Sequence, residues 1–236
     1  MHIPLAYDPR AFPPAPPPHL DDAETIVEHD WKTFASLSSL DDHWARPGWH
    51  DGRRAYYWML HITDPAVVDL ARGCQRLLAH LGMDPVPEEG LHVTLCRVGD
   101  AAEVSKNKID RLAEVTRQRL SVRQFGLRAH PLAGSRGAVR LTLTPWRDLV
   151  AVQQQLAGLG TELGLPGGRP VSCFRPHLSI AYNNVARPAE DVVEAVSELR
   201  AQAAADVRVS AVSLVELRRE QPVYRWNSVV SLGLTG

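Results

Sequence analysis

Leu91–Leu95 reads LHVTL and Pro176–Ile180 reads PHLSI, so one short pattern occurs twice in the chain. In both copies a hydroxyl residue follows a histidine by two positions, and the residues between and around them are aliphatic or proline. Successive side chains of an extended strand point to opposite faces, so the histidine and the hydroxyl share one face. The pattern therefore predicts two strands that each bury an aliphatic face and present an imidazole beside a hydroxyl.

The four polar side chains of these strands are His92, Thr94, His177 and Ser179. Histidine exchanges protons near neutral pH without any perturbation of its pKa. In-line displacement at phosphorus needs a base on the attacking oxygen and an acid on the leaving oxygen, and two histidines can supply both. Two hydroxyls can donate to the nonbridging phosphate oxygens, where negative charge grows. The set predicts cleavage of a phosphodiester without a metal, and it leaves open which histidine is the base.

Each signature strand lies at the same place in a repeated order of predicted elements. A strand, a helix, the histidine strand, a second helix and a further strand occupy about 54–132, and the same order returns over 137–234. The chain is expected to end with two strands, about 206–218 and 223–234. This repeat predicts an α+β fold of two pseudo-symmetric, intertwined antiparallel-sheet lobes, with outer helices and the ligand site in a central cleft.

The beginning of the chain does not share this repeat. Its proline run, FPPAPPP, predicts an extended arm over about residues 1–20, not a core element, because proline removes backbone donors and favours an extended conformation. Apolar residues at helical spacing predict one helix within 21–40. We therefore divide the chain into a Pro-rich arm with a short helix, 1–50, and a main domain, 51–236.

Composition limits the classes of partner. The chain has 236 residues, 44% of them hydrophobic, which suffices for a globular core. With a net charge of −1 the chain lacks the overall basic character typical of proteins that bind duplex DNA, and a local basic patch around Arg53, Arg54, Arg97 and Arg175 stays open. Cys74, Cys96 and Cys173 are too scattered for a disulfide framework or a zinc site. Without an apolar run of membrane-spanning length, we expect a cytoplasmic monomer that does not bind membranes.

The two H-x-[T/S] strands and the duplicated α+β order resemble the two-histidine (2H) phosphoesterase superfamily, in particular its 2′-5′ RNA ligase-like and cyclic phosphodiesterase branch. The resemblance covers about residues 54–234. It implies a bilobed α+β fold and action on 2′,3′-cyclic phosphate ends of RNA or nucleotides, with reversible 2′-5′ ligation as a second activity. It implies no metal, and we expect no cofactor. Only His92, Thr94, His177 and Ser179 match the family motif, with serine in place of threonine in the second copy.

Three further residues are candidates for the site. Arg175 lies two residues before His177, hence on the same strand face, where it can bind a phosphate bidentately or be a solvated or ion-paired arginine. Tyr224 and Trp226 share a strand face and can stack on a base or pack in the core. The sequence leaves both choices open.

Two other functions are compatible with parts of the pattern. A non-catalytic module on the same fold would bind RNA or nucleotides, but binding alone needs no paired acid and base. A metalloenzyme would need carboxylates, and neither signature strand contains Asp or Glu. The favoured hypothesis is an RNA cyclic phosphodiesterase whose substrate is an RNA 3′ end or a small cyclic nucleotide.

Overall fold

The structure is a computed structural model that describes residues 5–45, 47–48, 50 and 52–236, so the first four residues of the predicted arm lie outside it. Within the described residues the backbone forms five α-helices, namely α1 (Ala23–Ala35), α2 (Pro65–Leu77), α3 (Lys106–Arg119), α4 (Arg147–Glu162) and α5 (Glu190–Glu198). The strands in the same ranges are β1 (Ser39–Leu40), β2 (Arg54–His61), β3 (Asp84–Pro85), β4 (His92–Asp100), β5 (Phe125–Ser135), β6 (Ala138–Thr144), β7 (Leu178–Tyr182), β8 (Arg187–Pro188), β9 (Ala205–Val209), β10 (Ala211–Glu220) and β11 (Val223–Gly233).

Two antiparallel sheets carry the two signature strands. The first sheet has the strand order β11-β10-β2-β4, and the second has the order β3-β7-β6-β5-β9. A small additional pair joins β1 to β8. The edge strand β4 of the first sheet lies against β7 of the second, so the two histidine strands are neighbours at the junction of the sheets. The predicted α+β fold with two antiparallel sheets and flanking helices is confirmed.

The repeat of elements is present, but its strands are exchanged between the sheets. The order β2-α2-β4-α3-β5 returns as β6-α4-β7-α5-β9. However, β5 forms a tight hairpin with β6 and so joins the second sheet, whereas β10 and β11 complete the first. The helices cross as well, since α2 packs on β7 and β9 while α4 packs on β4. Each sheet is therefore built from both halves of the sequence.

The expectation of one strand over 206–218 is wrong. The chain pairs with β5 up to Val209 in the second sheet, and from Ala211 it pairs with β11 in the first. The carbonyl of Ser210, between them, accepts a hydrogen bond from the amide of Leu234 (2.8 Å). Alternating apolar residues predict an extended segment but not its partner, so the transfer between sheets is invisible in the pattern.

The helix predicted within 21–40 is α1. It begins after Asp22, whose side chain accepts a hydrogen bond from the amide of Thr25 (3.2 Å) and so caps the helix. Ile26, Asp30 and Phe34, one turn apart, are buried against the main domain. The contacts of α1 are with β5 and β6 of the second sheet. The N-terminal segment is therefore part of the folded body.

Candidate functional site

The signature strands have the alternation that the sequence predicts. In Leu91–Leu95 the aliphatic side chains are buried, whereas the histidine and the threonine are partly exposed. In Pro176–Ile180 the proline and the aliphatic side chains are buried, whereas the histidine and the serine are partly exposed. Each strand thus turns its two polar side chains away from the core, toward what we call the inner face of its sheet.

The two histidines make equivalent hydrogen bonds. Nδ1 of His92 lies 2.7 Å from the carbonyl oxygen of Gly90, and Nδ1 of His177 lies 2.8 Å from that of Arg175. A carbonyl oxygen can only accept, so Nδ1 carries the hydrogen in both rings. Nε2 is then the nitrogen of each ring that takes up or releases a proton.

Similar local structure precedes both histidines. A single 3₁₀ turn, Glu88–Gly90, leads into the first signature strand, and another, Val171–Cys173, precedes the second. Each turn follows a proline in extended conformation, Pro87 or Pro170. In both copies the carbonyl that orients the imidazole therefore comes from the short approach to the strand, two residues before the histidine.

A β-bulge follows the threonine of the first signature. Thr94 of β4 pairs with Met59 of β2, and Arg97 pairs with Tyr57. Thr94 and Arg97 are three residues apart on β4, whereas their partners are only two residues apart on β2. The extra residue on β4 reverses the alternation. Arg97 consequently lies on the inner face with Thr94, a placement that the sequence pattern does not reveal.

The second signature has the same irregularity. Ser179 pairs with Arg140 and Tyr182 pairs with Ala138, again three residues apart on one strand and two on its neighbour. Tyr182 therefore shares the inner face with Ser179. The repeat thus places an additional polar or aromatic residue at equivalent positions, three after each hydroxyl.

Arg97 is tied to its surroundings by two of its nitrogens. One Nη donates to the carbonyl of Gly167 (2.5 Å), and the other forms an ion pair with Asp100 (3.0 Å). Within the described ranges its Nε has no hydrogen-bond partner. The guanidinium, which is partly exposed, therefore supplies positive charge beside Thr94 that Asp100 partly offsets.

Aromatic rings surround His92. The ring of Trp226 lies 5.4 Å away and that of Tyr224 lies 6.4 Å away, both in edge-to-face arrangements, while His61 is the cross-strand neighbour. Burial lowers the pKa of His92, the carbonyl of Gly90 acts in the opposite direction, and His61 lowers this pKa further. His92 is consequently neutral at pH 7.

Tyr224 and Trp226, predicted to stack on a base or to pack in the core, lie beside this imidazole. They also pack against Met59, Val215 and Leu217, a small apolar cluster separate from the main core. Both rings remain partly exposed. They lie on the inner face of the first sheet and pack against apolar side chains while part of each residue stays accessible.

Arg175 has partners that the sequence does not indicate. Its buried guanidinium donates to five backbone carbonyl oxygens at 2.8–3.0 Å, those of Ala6, Pro13, Pro14, Ser172 and Phe174. A guanidinium has five N–H donors, so all are engaged. The predicted phosphate contact is not supported by this geometry, and we correct it: Arg175 holds the N-terminal arm.

The described part of the chain offers neither a cluster of metal-ligating side chains nor a membrane-spanning helix. Within residues 5–45, 47–48, 50 and 52–236, no group of three or more His, Cys, Asp or Glu side chains could hold a metal ion. In the same part of the chain, every helix is too short or too polar to cross a membrane.

Comparisons with known proteins agree with this architecture. The family model of the 2′-5′ RNA ligase superfamily matches residues 64–221. Escherichia coli LigT complexed with 3′-AMP is 18% identical, with a TM-score of 0.56, and covers 78% of this chain and 99% of its own. LigT complexed with NADP⁺ is 19% identical, with a TM-score of 0.54 and the same coverage. A Thermus thermophilus protein is 16% identical, with a TM-score of 0.55, and covers 78% of this chain and 98% of its own.

Among curated proteins, none matches the chain by sequence. At such low identities the solved structures establish the fold alone. The family model is more specific, because its matched region spans more than half of the chain and includes both signature strands. The predicted resemblance is thereby confirmed, and the chain belongs to the 2′-5′ RNA ligase superfamily.

Proposed function

We propose that the protein is a metal-independent phosphoesterase that opens 2′,3′-cyclic phosphates at RNA 3′ ends or on small nucleotides. The observation that carries the proposal is the equivalence of His92 and His177, each with Nδ1 bonded to the carbonyl two residues earlier. Two imidazoles that each offer Nε2 supply a general base and a general acid. Thr94 and Ser179 supply one hydroxyl beside each ring.

The reaction can be written with these groups alone. One histidine takes a proton from water through Nε2 while the water oxygen forms a bond to phosphorus. The bond from phosphorus to the 2′ or 3′ oxygen of the ribose breaks, and the other histidine gives its proton to that oxygen. The product is a phosphomonoester. Each proton transfer contributes about 10²- to 10⁴-fold to the rate.

The hydroxyls of Thr94 and Ser179 act on the phosphate itself. Each donates a hydrogen bond to a nonbridging oxygen, which carries more negative charge in the transition state than in the ground state. The guanidinium of Arg97, on the same face as Thr94, adds positive charge nearby. These donors take the place of a metal ion as the stabilising charge.

The environment of His92 favours it as the base. Burial lowers its pKa, so the ring is neutral and able to accept a proton at pH 7. His177 is then the acid that protonates the leaving oxygen. When a ribose 5′-hydroxyl takes the place of water, the same groups in the same roles can form the bond from that oxygen to phosphorus while the 3′ oxygen leaves, which gives a 2′-5′ linkage. Cleavage of that linkage is the reverse step, in which the base and the acid exchange roles.

The ligands bound by a structurally similar protein support a nucleotide substrate. LigT has been crystallised with 3′-AMP, with ATP and with phosphate. The alternative is a non-catalytic RNA- or nucleotide-binding module on the same fold. Such a module would not need the duplicated histidine and hydroxyl arrangement.

The test is the hydrolysis of adenosine 2′,3′-cyclic monophosphate in the presence of EDTA. We expect turnover by the wild-type protein and none by the His92→Ala/His177→Ala double variant, with the variant still folded. The position of the phosphate in the product identifies the leaving oxygen. Binding of the nucleotide without turnover by the wild type would favour the non-catalytic module, and loss of turnover with EDTA would contradict the metal-free mechanism.

A further inference from the structure

Residues 41–44, which follow the N-terminal helix, connect the ends of the two sheets. The amide of His43 donates to the carbonyl of Asn183 (2.7 Å), just beyond β7 of the second sheet. In the first sheet, Arg219 of β10 donates to the carbonyl of His43 (3.2 Å). The guanidinium of Arg219 also lies over the ring of Trp44, 4.9 Å from its centroid. The segment thus has contacts on both sides of the junction.

The side chain of His43 fills the space between two tyrosines. Its ring stacks on Tyr182 at 4.1 Å, and its Nε2 lies 2.9 Å from the hydroxyl of Tyr224. The two tyrosine rings also meet edge to face at 5.5 Å. Tyr182 shares the inner face with Ser179, and Tyr224 lies beside His92. The inner faces of the two sheets therefore touch here, and buried His43 seals the contact.

The N-terminal helix borders the other side of Ser179. Arg140 is the cross-strand neighbour of Ser179, and its guanidinium pairs with Asp30 of α1 (3.3 Å). Asp30 also accepts a hydrogen bond from Thr142 (3.0 Å). Arg140, Thr142 and Asp30 are all buried. Residues 5–45, which we call the N-terminal extension, consequently cover the inner face of the second sheet next to the signature hydroxyl.

These contacts are made by a part of the chain that lies outside the region matched by the family model. Asp30, His43 and Trp44 precede residue 64, where the family match begins. The family match therefore does not account for these three residues, and we call the barrier that His43 and Trp44 form at the junction of the sheets the wall.

We propose that the N-terminal extension closes one end of the active-site cleft, and that His43 and Trp44 make the site specific for a phosphate at the end of a nucleotide chain. This inference rests on the proposed function. An internal phosphodiester has a nucleoside on both sides of its phosphorus and needs a cleft open at both ends. A terminal 2′,3′-cyclic phosphate has a nucleoside on one side only. A cleft closed at one end favours the second over the first, so 2′-5′ ligation, whose product has a nucleoside on both sides of the phosphorus, should be the slower activity of this site.

The test compares two substrates, adenosine 2′,3′-cyclic monophosphate and 2′-5′-linked diadenosine. For the wild type we expect kcat/KM to favour the cyclic nucleotide. His43→Ala and Trp44→Ala should reduce that preference about 10- to 100-fold, mainly by a gain on the dinucleotide, which is the range that steric exclusion provides. Trp31→Ala is the matched control, because Trp31 also lies in the extension but packs under Arg200 (4.4 Å) and does not contact the tyrosines. It should leave the preference unchanged.

An unchanged preference in folded His43→Ala and Trp44→Ala would overturn the inference, as would equal wild-type activity on both substrates. If either variant unfolds, Arg219→Ala serves instead, because it loosens residues 41–44 while retaining the buried rings.

If the wild type hydrolyses neither substrate, the proposed function fails. The wall is then tested by calorimetry with adenosine 3′-monophosphate and the dinucleotide. We expect at least tenfold tighter wild-type binding of the monophosphate and a smaller difference in His43→Ala, and equal wild-type affinities would refute the wall.

Discussion

His92 and His177 make the same hydrogen bond, in which Nδ1 of each ring donates to the backbone carbonyl two residues earlier in the chain. The distance is 2.7 Å for His92 and 2.8 Å for His177. The bond determines the tautomer of each ring and leaves Nε2 for proton transfer. Because the bond involves only the strand and its approach, each half of the repeat orients its own imidazole. The junction of β4 and β7 then brings the two halves together.

Removal of either imidazole tests its role directly. His92→Ala and His177→Ala should each lower kcat on a 2′,3′-cyclic nucleotide by at least about 10²-fold, since each removes one proton-transfer group. His80→Ala is the matched control. Nδ1 of His80 also contacts a carbonyl, that of Leu77 (3.0 Å), but this histidine is exposed in the 3₁₀ turn that follows α2. Wild-type rates in either active-site variant would refute the assignment.

The two hydroxyls should contribute less than the histidines. Thr94→Val and Ser179→Ala each remove one donor to a charged oxygen, which is worth about 1.5–3 kcal/mol, or roughly a 10- to 100-fold loss in kcat. Thr94→Ser and Ser179→Thr keep the hydroxyl and should restore most of the rate. Steady-state kinetics on all four variants decide the point. Equal losses in Thr94→Ser and Thr94→Val would mean that the methyl group, not the hydroxyl, matters.

The low pKa of His92 predicts the position of one limb of the pH profile. If His92 is the base, it must be neutral, so the acidic limb of kcat/KM should have its midpoint below the ordinary histidine value of about 6.5. Trp226→Ala admits water to the ring, so the pKa of His92 should rise and the limb should move to higher pH. Tyr224 and His61 still face the ring, so the shift should be partial.

This prediction is checked by NMR titration of the imidazole of His92 in the wild type and in Trp226→Ala. Trp31→Ala, remote from the site, is the control for loss of a tryptophan. An unchanged pKa of His92 in Trp226→Ala would show that this ring does not exclude water from the imidazole.

Arg175 should affect stability more than phosphate binding. Arg175→Lys keeps the charge but offers three donors in place of five, so buried carbonyls of the arm lose their partners at about 1–3 kcal/mol each. Urea denaturation should show a loss of at least about 2 kcal/mol, and hydrogen exchange should accelerate in residues 5–20. Unchanged stability together with a raised KM would instead favour the phosphate contact expected from the sequence.

The buried pair of Asp30 and Arg140 should anchor the N-terminal helix. Asp30→Ala leaves the guanidinium of Arg140 buried without its counter-ion, which costs about 3–5 kcal/mol of unfolding free energy. Asp21→Ala is the control, because it removes an exposed ion pair with Arg147, and such pairs contribute little. Thermal unfolding of both variants measures the difference. Similar melting temperatures for the two would show that the buried pair does not hold the helix.

Local patterns predicted much of this protein correctly. Alternation over five residues predicts which side chains of Leu91–Leu95 are buried, because a strand has a period of two wherever it pairs. Apolar spacing predicts a helix within 21–40, and the structure has α1 there, capped by Asp22. The family follows from the two signatures and their repeated setting, and the family match confirms it.

Other features depend on partners that are distant in sequence. The bulges that bring Arg97 and Tyr182 to the inner face are defined by the register with neighbouring strands. The segment 206–218 divides at Ser210 because two different sheets offer pairing positions. Arg175 points to the arm because the carbonyls of Ala6, Pro13 and Pro14, more than 150 residues away in sequence, lie within hydrogen-bond distance of its guanidinium.

The sequence by itself determined the elements, the two signature faces and the family, since these depend on the covalent order and on periods of two and 3.6 residues. The tertiary structure decided which strands share a sheet, which residues join each signature and what covers the second sheet. The physical reason is that a backbone N–H or C=O group needs a hydrogen-bond partner and a buried charge needs a counter-ion, as Arg140 needs Asp30. The fold decides which groups meet these needs, because the partners are distant in sequence.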